Sequence, residues 1–286
     1  MNAMAVEKGL LSGDLSYVRL GNGPQTVVVF PGLADAAWDV TSRKWDFSSR
    51  HRRLADAFTV YIISRKRGLP RGYTTRDMAD DYARAFEGEI GSADVLGISL
   101  GGYVAQHFAA DYPDHVKRLV IACAAHRVSE EGRKTPKRWL TLARQGHWRE
   151  FYQDICRVTM EEYRHTFKRF LVSLIQTPPR NPADFLVSLE ACLAHDGWEP
   201  LARIQAPTLV IGGTEDIFFP PSLLRETARR VPEATLRFIV GGGHSAYELH
   251  KQEFQDAVLG FLQNHEATLA AAGDPLATTG ELQVTA

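Results

Sequence analysis

Cysteine is scarce in this 286-residue chain: three residues, at 123, 156 and 192. An odd number of wide-spaced thiols without a C-x-x-C pair excludes a disulfide framework and the common zinc sites. Buried thiols in a reducing compartment are the expectation. Long apolar runs are missing as well, so no transmembrane helix is expected. The first eleven residues carry Glu7 and Lys8 and hold no apolar run suited to a secretory signal. A cytoplasmic location follows by default. Charge of one sign is also lacking: 33 Lys+Arg face 34 Asp+Glu, a formal net charge of −1. Nothing in that balance favours nucleic acid as a partner. Two local basic clusters, Arg50-His51-Arg52-Arg53 and Arg65-Lys66-Arg67, read as solvated surface, with attraction of an acidic substrate as the minority reading. There is no internal repeat.

What is present is an ordinary globular composition, 44% apolar and 23% charged, long enough for a sizeable core in one or two domains. Short β-branched runs recur along it. Leu15–Leu20 alternates weakly, and Thr26–Phe30, Phe58–Ile63, Ala93–Leu96, Lys117–Ala122, Pro207–Gly212 and Leu236–Val240 are the further strand candidates. Wholly apolar runs of this length suit strands buried on both faces of a parallel sheet. Helical spacing lies between several of them, at Thr75–Phe86, Gly102–Ala110, Pro221–Arg230 and Tyr247–Leu262. Strands alternating with helices predict an α/β protein with a mostly parallel sheet.

That alternation breaks between about His126 and Pro200. Only helical patterns occur there, over Lys137–Arg144, Trp148–Arg157, Glu161–Leu174 and Ala183–Leu193, punctuated by Pro178-Pro179 and Asn181-Pro182. A helical insertion between two strands is expected. Its histidines, His126, His147, His165 and His195, lack metal-ligand spacing and read as surface or core residues. Trp139, Trp148, Phe151 and Phe170 read mainly as packing, with some facing a pocket. The chain thus divides into a core of residues 1–125 and 201–264, an insertion of residues 126–200, and a tail, 265–286, expected to be disordered.

The chemistry concentrates at Gly97-Ile98-Ser99-Leu100-Gly101, a G-x-S-x-G pentapeptide between a strand candidate and a helix candidate. The pattern alone arises by chance roughly 0.08 times in such a chain, so its context carries the weight. A sharp strand-to-helix turn lifts the serine hydroxyl above the sheet. A serine nucleophile also needs a base, and the base an orienting acid. Asp216 follows the run Pro207–Gly212, within Gly213-Thr214-Glu215-Asp216. Glu215 is the neighbouring alternative. His244 follows three glycines after the last strand candidate, and His250, inside a helical pattern, is the weaker choice. Two backbone donors are needed for an oxyanion. Leu100 N–H, directly after the serine, is one; Leu33 N–H, in the loop Pro31-Gly32-Leu33 after Thr26–Phe30, is the other.

The order Ser99, Asp216, His244, with the elbow and the Pro31–Trp38 loop, resembles the α/β-hydrolase fold superfamily over about residues 15–263. The resemblance also takes in Ala110-Asp111-Tyr112-Pro113 and Leu201–Pro207. It implies an eight-stranded, mostly parallel sheet flanked by helices, with an all-helical cap inserted after strand six. Two departures stand out. The oxyanion loop begins Pro31-Gly32 where relatives often have His-Gly. Of an Asp-x-Arg-Gly-x-Gly stretch found in many relatives, Ser64–Pro70 keeps only Arg-Gly, with no catalytic consequence expected and a more basic pocket edge. Serine at the elbow argues against the dehalogenases and epoxide hydrolases of the fold, which use aspartate. The expected function is a serine hydrolase of small carboxylic esters or related acyl compounds. Alternatives are hydrolysis of a carbon–carbon bond in a vinylogous diketone, thioester or lactone hydrolysis, cofactor-free perhydrolysis, or a non-catalytic ligand receptor. Neither cofactor nor metal is expected. The expected partner is a small acyl substrate, without nucleic acid or a membrane span, and a homodimer is left open.

Overall fold

Eight strands form one sheet in the computed structural model, which describes residues 6–42, 44–159 and 178–263. In chain order they are β1 (Val6–Leu11), β2 (Leu15–Leu20), β3 (Thr26–Phe30), β4 (Thr59–Ile63), β5 (Ala93–Ile98), β6 (Val116–Ala122), β7 (Thr208–Gly213) and β8 (Ala234–Ile239). Their spatial order is β1-β2-β4-β3-β5-β6-β7-β8. The first two strands are antiparallel, and β4 through β8 run parallel. Every strand expected from the apolar runs is present. β1 was not expected. Three of its six residues (VEKGLL) are exposed, and as an edge strand it carries charge in place of an apolar pattern. Its register puts Glu7 opposite Arg19, and the two pair at 2.7 Å.

Strand residues alternate between two cores. Val28, Phe30, Val95, Ile121 and Val210 face one, and Val27, Val29, Leu96, Val120 and Ile211 face the other. That is the period of two expected for strands covered on both sides. The first core is closed by helices α3 (Thr75–Ala85), α4 (Leu100–Asp111) and α9 (Pro221–Arg230), and the second by α2 (Lys44–Ala55) and α11 (Lys251–Gln263). Phe30 stacks on Tyr82 with ring centroids 3.9 Å apart, fixing β3 against α3. Two helix expectations need correction. The pattern at Thr75–Phe86 continues into a π turn over Phe86–Ile90. The one at Tyr247–Leu262 is two helices, α10 (Ala246–Leu249) and α11, separated at His250.

Between β6 and β7 the regular elements among the described residues are all helices: α5 (Lys134–Arg144), α6 (Trp148–Thr159), α7 (Pro182–Ala194) and the short α8 (Trp198–Leu201). Three of the four helices expected in the insertion are therefore present. The fourth, Glu161–Leu174 with His165 and Phe170, lies outside the described residues, as does the tail 265–286. His126 and His195 are buried and His147 is exposed.

The topology fixes where the site lies. From β3 the chain crosses to β4 on one side, then returns to place β5 on the other side of β3. This is the topological switch point of the sheet, where a crevice opens at the carboxyl ends of the strands. The loop after β3, with the four-residue helix α1 (Ala34–Ala37), and the turn after β5 meet there.

Candidate active site

Ser99 stands at that turn with φ +53° and ψ −117°, a region non-glycine residues seldom occupy. The strain is held from both sides. Ser99 N donates to Ala122 O (2.9 Å), and Ser99 O accepts from Gly102 N (2.8 Å) and Tyr103 N (3.2 Å). The flanking glycines are required by close packing. A Cβ on Gly97 would lie 2.5 Å from Gly101 O, and one on Gly101 would lie 1.9 Å from Phe30 O.

Ser99 Oγ lies 3.0 Å from His244 Nε2, and His244 Nδ1 lies 2.9 Å from Asp216 Oδ2. A carboxylate only accepts, so Nδ1 carries the proton and Nε2 is left to accept from the serine hydroxyl. Asp216 is 2% exposed, and its other oxygen accepts from Phe218 N (2.8 Å) and Phe219 N (3.2 Å). The loops bearing the acid and the imidazole are joined: Glu215 N donates to Gly242 O (2.9 Å), and Gly241 N to Thr214 Oγ1 (2.9 Å). Gly213 permits the approach, since a Cβ there would lie 1.9 Å from Gly242 O. The rings of Phe218 and Phe219 flank the imidazole, with centroids 4.8 and 5.6 Å away. The alternatives fall away: Glu215 points to solvent, while His250 ends α10. A hydroxyl, an imidazole and a buried carboxylate in this chain can pass a proton from oxygen to Nε2 while an alkoxide attacks.

Leu33 and Leu100 both border the cavity beside Ser99. Leu100 is the first residue of α4 and Leu33 precedes α1, so neither N–H has an acceptor within its own helix. Gly32 brings the loop against the elbow, where a Cβ would sit 3.5 Å from Ser99 Cβ.

The largest correction concerns the basic clusters. Arg65 is 3% exposed and donates from Nη1 to Pro31 O (2.7 Å) and from Nη2 to Gly32 O (3.0 Å). Asp35, 1% exposed, accepts from Ser64 Oγ (2.7 Å) and Arg65 N (2.9 Å) and lies 3.5 Å from Arg65 Nη2. Arg50 ion-pairs with Glu248, and both border the cavity, as does the buried His51. Neither cluster is therefore simply solvated surface. The only cue available in the sequence was the Arg-Gly remnant at Arg67-Gly68, which flags the loop but not the buried Arg65.

The cavity in front of Ser99 measures about 290 Å³. Trp38, Trp139, Phe151, Phe185 and Phe218 give it an aromatic wall drawn from both the sheet loops and the insertion. The floor holds Tyr103, whose ring stacks on His195 at 3.8 Å, and the thiol of Cys192. Burial pushes the Cys192 thiol up to about 12 and drives the Tyr103 phenol well above its usual range. The buried Tyr103 hydroxyl makes no hydrogen bond with the described residues. Among the described residues there is no cluster of three or more His, Cys, Asp or Glu side chains suited to a metal ion. No helix among them is long and apolar enough to cross a membrane.

A nucleophile elbow at the switch point of an eight-stranded α/β sheet, with acid and imidazole on later loops, defines a hydrolase of the α/β-hydrolase fold. The α/β-hydrolase fold family profile matches residues 26–251, and the chain belongs to that family. It is 26% identical over 274 residues to a 2-hydroxy-6-oxononadienedioate/2-hydroxy-6-oxononatrienedioate hydrolase of a Pseudomonas species, covering 90% of this chain and 94% of the relative. It is 25% identical over 271 residues to the pimeloyl-[acyl-carrier protein] methyl ester esterase of Chromobacterium violaceum, covering 87% and 98%. Among solved structures, the enol-lactonase of Burkholderia xenovorans superposes with a TM-score of 0.73 at 20% identity, covering 90% of this chain and 99% of that one.

Proposed function

We propose that this hydrolase cleaves neutral, largely apolar carboxylic esters through an acyl-enzyme on Ser99. The observation that carries the proposal is the hydrogen-bonded chain Ser99–His244–Asp216 opening directly onto an aromatic-walled cavity. Ser99 Oγ attacks the carbonyl carbon as His244 Nε2 takes its proton. The buried Asp216 holds the imidazole in its Nδ1–H tautomer and stabilises the cation that forms. Leu33 and Leu100 N–H groups receive the developing oxyanion. His244 then protonates the leaving alkoxide. Water, deprotonated by the same nitrogen, attacks the acyl-enzyme and frees the acid. The described helices between β6 and β7 act as a cap that shapes the acyl site, and Val128, Trp139, Phe151 and Phe185 supply apolar wall from the segment between those strands.

The charge of the described lining residues suits a neutral substrate. Arg50 is the one lysine or arginine among the described lining residues, and it is ion-paired to Glu248. A dicarboxylate of the kind named for the Pseudomonas relative needs cations to offset the desolvation of two charges. Carbon–carbon bond hydrolysis of a ring-fission dienone remains the second reading, on the strength of that relative.

The test is a panel of p-nitrophenyl esters of rising apolar acyl size, run beside a dianionic ring-fission dienone. Wild type and Ser99→Ala are compared, each also exposed to a fluorophosphonate. Rising kcat/KM with apolar acyl size, and labelling lost in Ser99→Ala, are expected. Preferred turnover of the dienone overturns the ester reading, and equal labelling of both proteins overturns Ser99.

A further inference from the structure

Arg65 does not border the cavity, yet both of its terminal nitrogens are committed to the loop that does. The acceptors are the carbonyls of Pro31 and Gly32. Gly32 C=O and Leu33 N–H are opposite ends of a single peptide unit. No cis peptide occurs among the described residues, so the unit is trans and planar, and its carbonyl and N–H point in opposite directions. Asp35 N also donates to Gly32 O, at 3.2 Å, so the guanidinium and this backbone N–H together fix the direction of the Leu33 N–H.

We infer that Arg65 is a positioning residue for acyl transfer: by holding Gly32 C=O it aims Leu33 N–H at the oxyanion and strengthens that N–H as a donor. The inference rests on the ester-hydrolase reading above. Its physical basis is twofold. The planar fork of the guanidinium reaches two successive carbonyls, as a lysine ammonium cannot. A cation at the carbonyl end also polarises the amide, and hydrogen bonds coupled through one peptide reinforce each other in a low-dielectric site. The arrangement is braced from behind. Asp35 sits 3.5 Å from Nη2 and accepts from Ser64 Oγ and from the Arg65 backbone N–H. Ser64 Oγ also accepts from Val40 N at 3.1 Å, tying the brace to the loop beyond α1. The Pro31-Gly32 opening thus has its carbonyls held by a side chain from the end of β4.

A merely structural arginine would lower thermal stability and weaken every ligand alike. A positioning arginine acts on the oxyanion. Wild type, Arg65→Met, Arg65→Lys and the charge-neutral pair Asp35→Asn/Arg65→Met are compared, so that one misfolded variant does not decide the result. For each, kcat and KM on an apolar ester are measured, with Kd for an aryl trifluoromethyl ketone and for its methyl ketone counterpart. The first ligand forms a hemiketal oxyanion on serine, and the second binds as a neutral carbonyl. Losing a whole oxyanion donor costs about 10²–10³ in kcat, so a misdirected one is expected to cost about 10–100-fold. In Arg65→Met and the double variant, kcat should fall by that factor with KM within about threefold. Trifluoromethyl ketone affinity should fall in step, and methyl ketone affinity should stay unchanged. Arg65→Lys should recover part of the loss. Folded variants with kcat within twofold of wild type overturn the inference, as does equal weakening of both ketones. A wild type that forms no hemiketal overturns the acyl-transfer reading and this role together. A wild type that forms it, with the Arg65 variants forming it equally well, overturns this role alone.

Discussion

Replacing Asp216 by asparagine isolates one link of the proton path while leaving the cavity intact. Asp216 uses one oxygen for Phe218 N and Phe219 N and the other for His244 Nδ1 at 2.9 Å. Asparagine keeps one oxygen and gains an NH₂. Two backbone N–H groups on one side require the oxygen there, so the NH₂ is turned toward His244. Nδ1 must then accept, and the ring's proton moves to Nε2, the atom 3.0 Å from Ser99 Oγ. Nε2 now donates to the serine and cannot take its proton. A tautomer error of this kind costs about 10⁴ in kcat. At about 1.36 kcal/mol per tenfold, that is about 5.4 kcal/mol of barrier. KM should stay within about threefold, because Asp216 does not border the cavity. Glu215→Gln, one residue away and exposed, should stay within about twofold of wild type. Steady-state ester hydrolysis and the fluorophosphonate inactivation rate give the two numbers. Asp216→Asn retaining activity within tenfold of wild type refutes the assignment of the acid.

Cys192, held up to about 12 by burial, is about one part in 10⁴ thiolate at pH 8. Iodoacetamide at that pH should leave it unmodified by peptide mass mapping while a fluorophosphonate still labels the protein; stoichiometric alkylation contradicts this. His195 is kept neutral, its proton affinity driven well below the usual histidine range by burial and then by His107 and His126. Burial likewise lowers His126 and His107. A folded-state pKa below the unfolded value of about 6.5 means that stability is fully present above that pH and is lost as the unfolded chain takes up protons below it. The slope is at most about 1.4 kcal/mol per pH unit for each such histidine. Urea unfolding midpoints should therefore fall steadily from pH 7 to pH 5, and a flat or rising trend refutes the burial account.

The sheet was legible because its central strands are short β-branched runs with no polar alternation, as in Thr26–Phe30 and Thr208–Gly213, and a parallel sheet covered on both faces demands that pattern. β1 escaped because an edge strand is selected against looking apolar. At the site, Ser99, Asp216 and His244 were readable from their glycine-rich turns and their order along the chain. Arg65 and Asp35 were not. Arg65 sits in a basic run that looks like surface, Asp35 is a lone acid among alanines, and only the fold brings Ser64–Arg67 behind the Pro31-Gly32 loop, where burial and two carbonyl acceptors give the guanidinium a task. The break at His250 was hidden because the apolar spacing runs on through it, although the backbone ends one helix at Leu249 and starts the next at Lys251.

The central claim is that Ser99 carries the acyl group. Mixing the protein with an excess of a slowly deacylating apolar ester, quenching in acid within the first turnover and mapping peptides by mass spectrometry tests it most directly. The account predicts one acyl group on the peptide containing Ser99, absent in Ser99→Ala and accumulating more slowly in Asp216→Asn. An acyl group on another residue, such as Cys192, or turnover of the ester with no adduct and undiminished in Ser99→Ala, would contradict it.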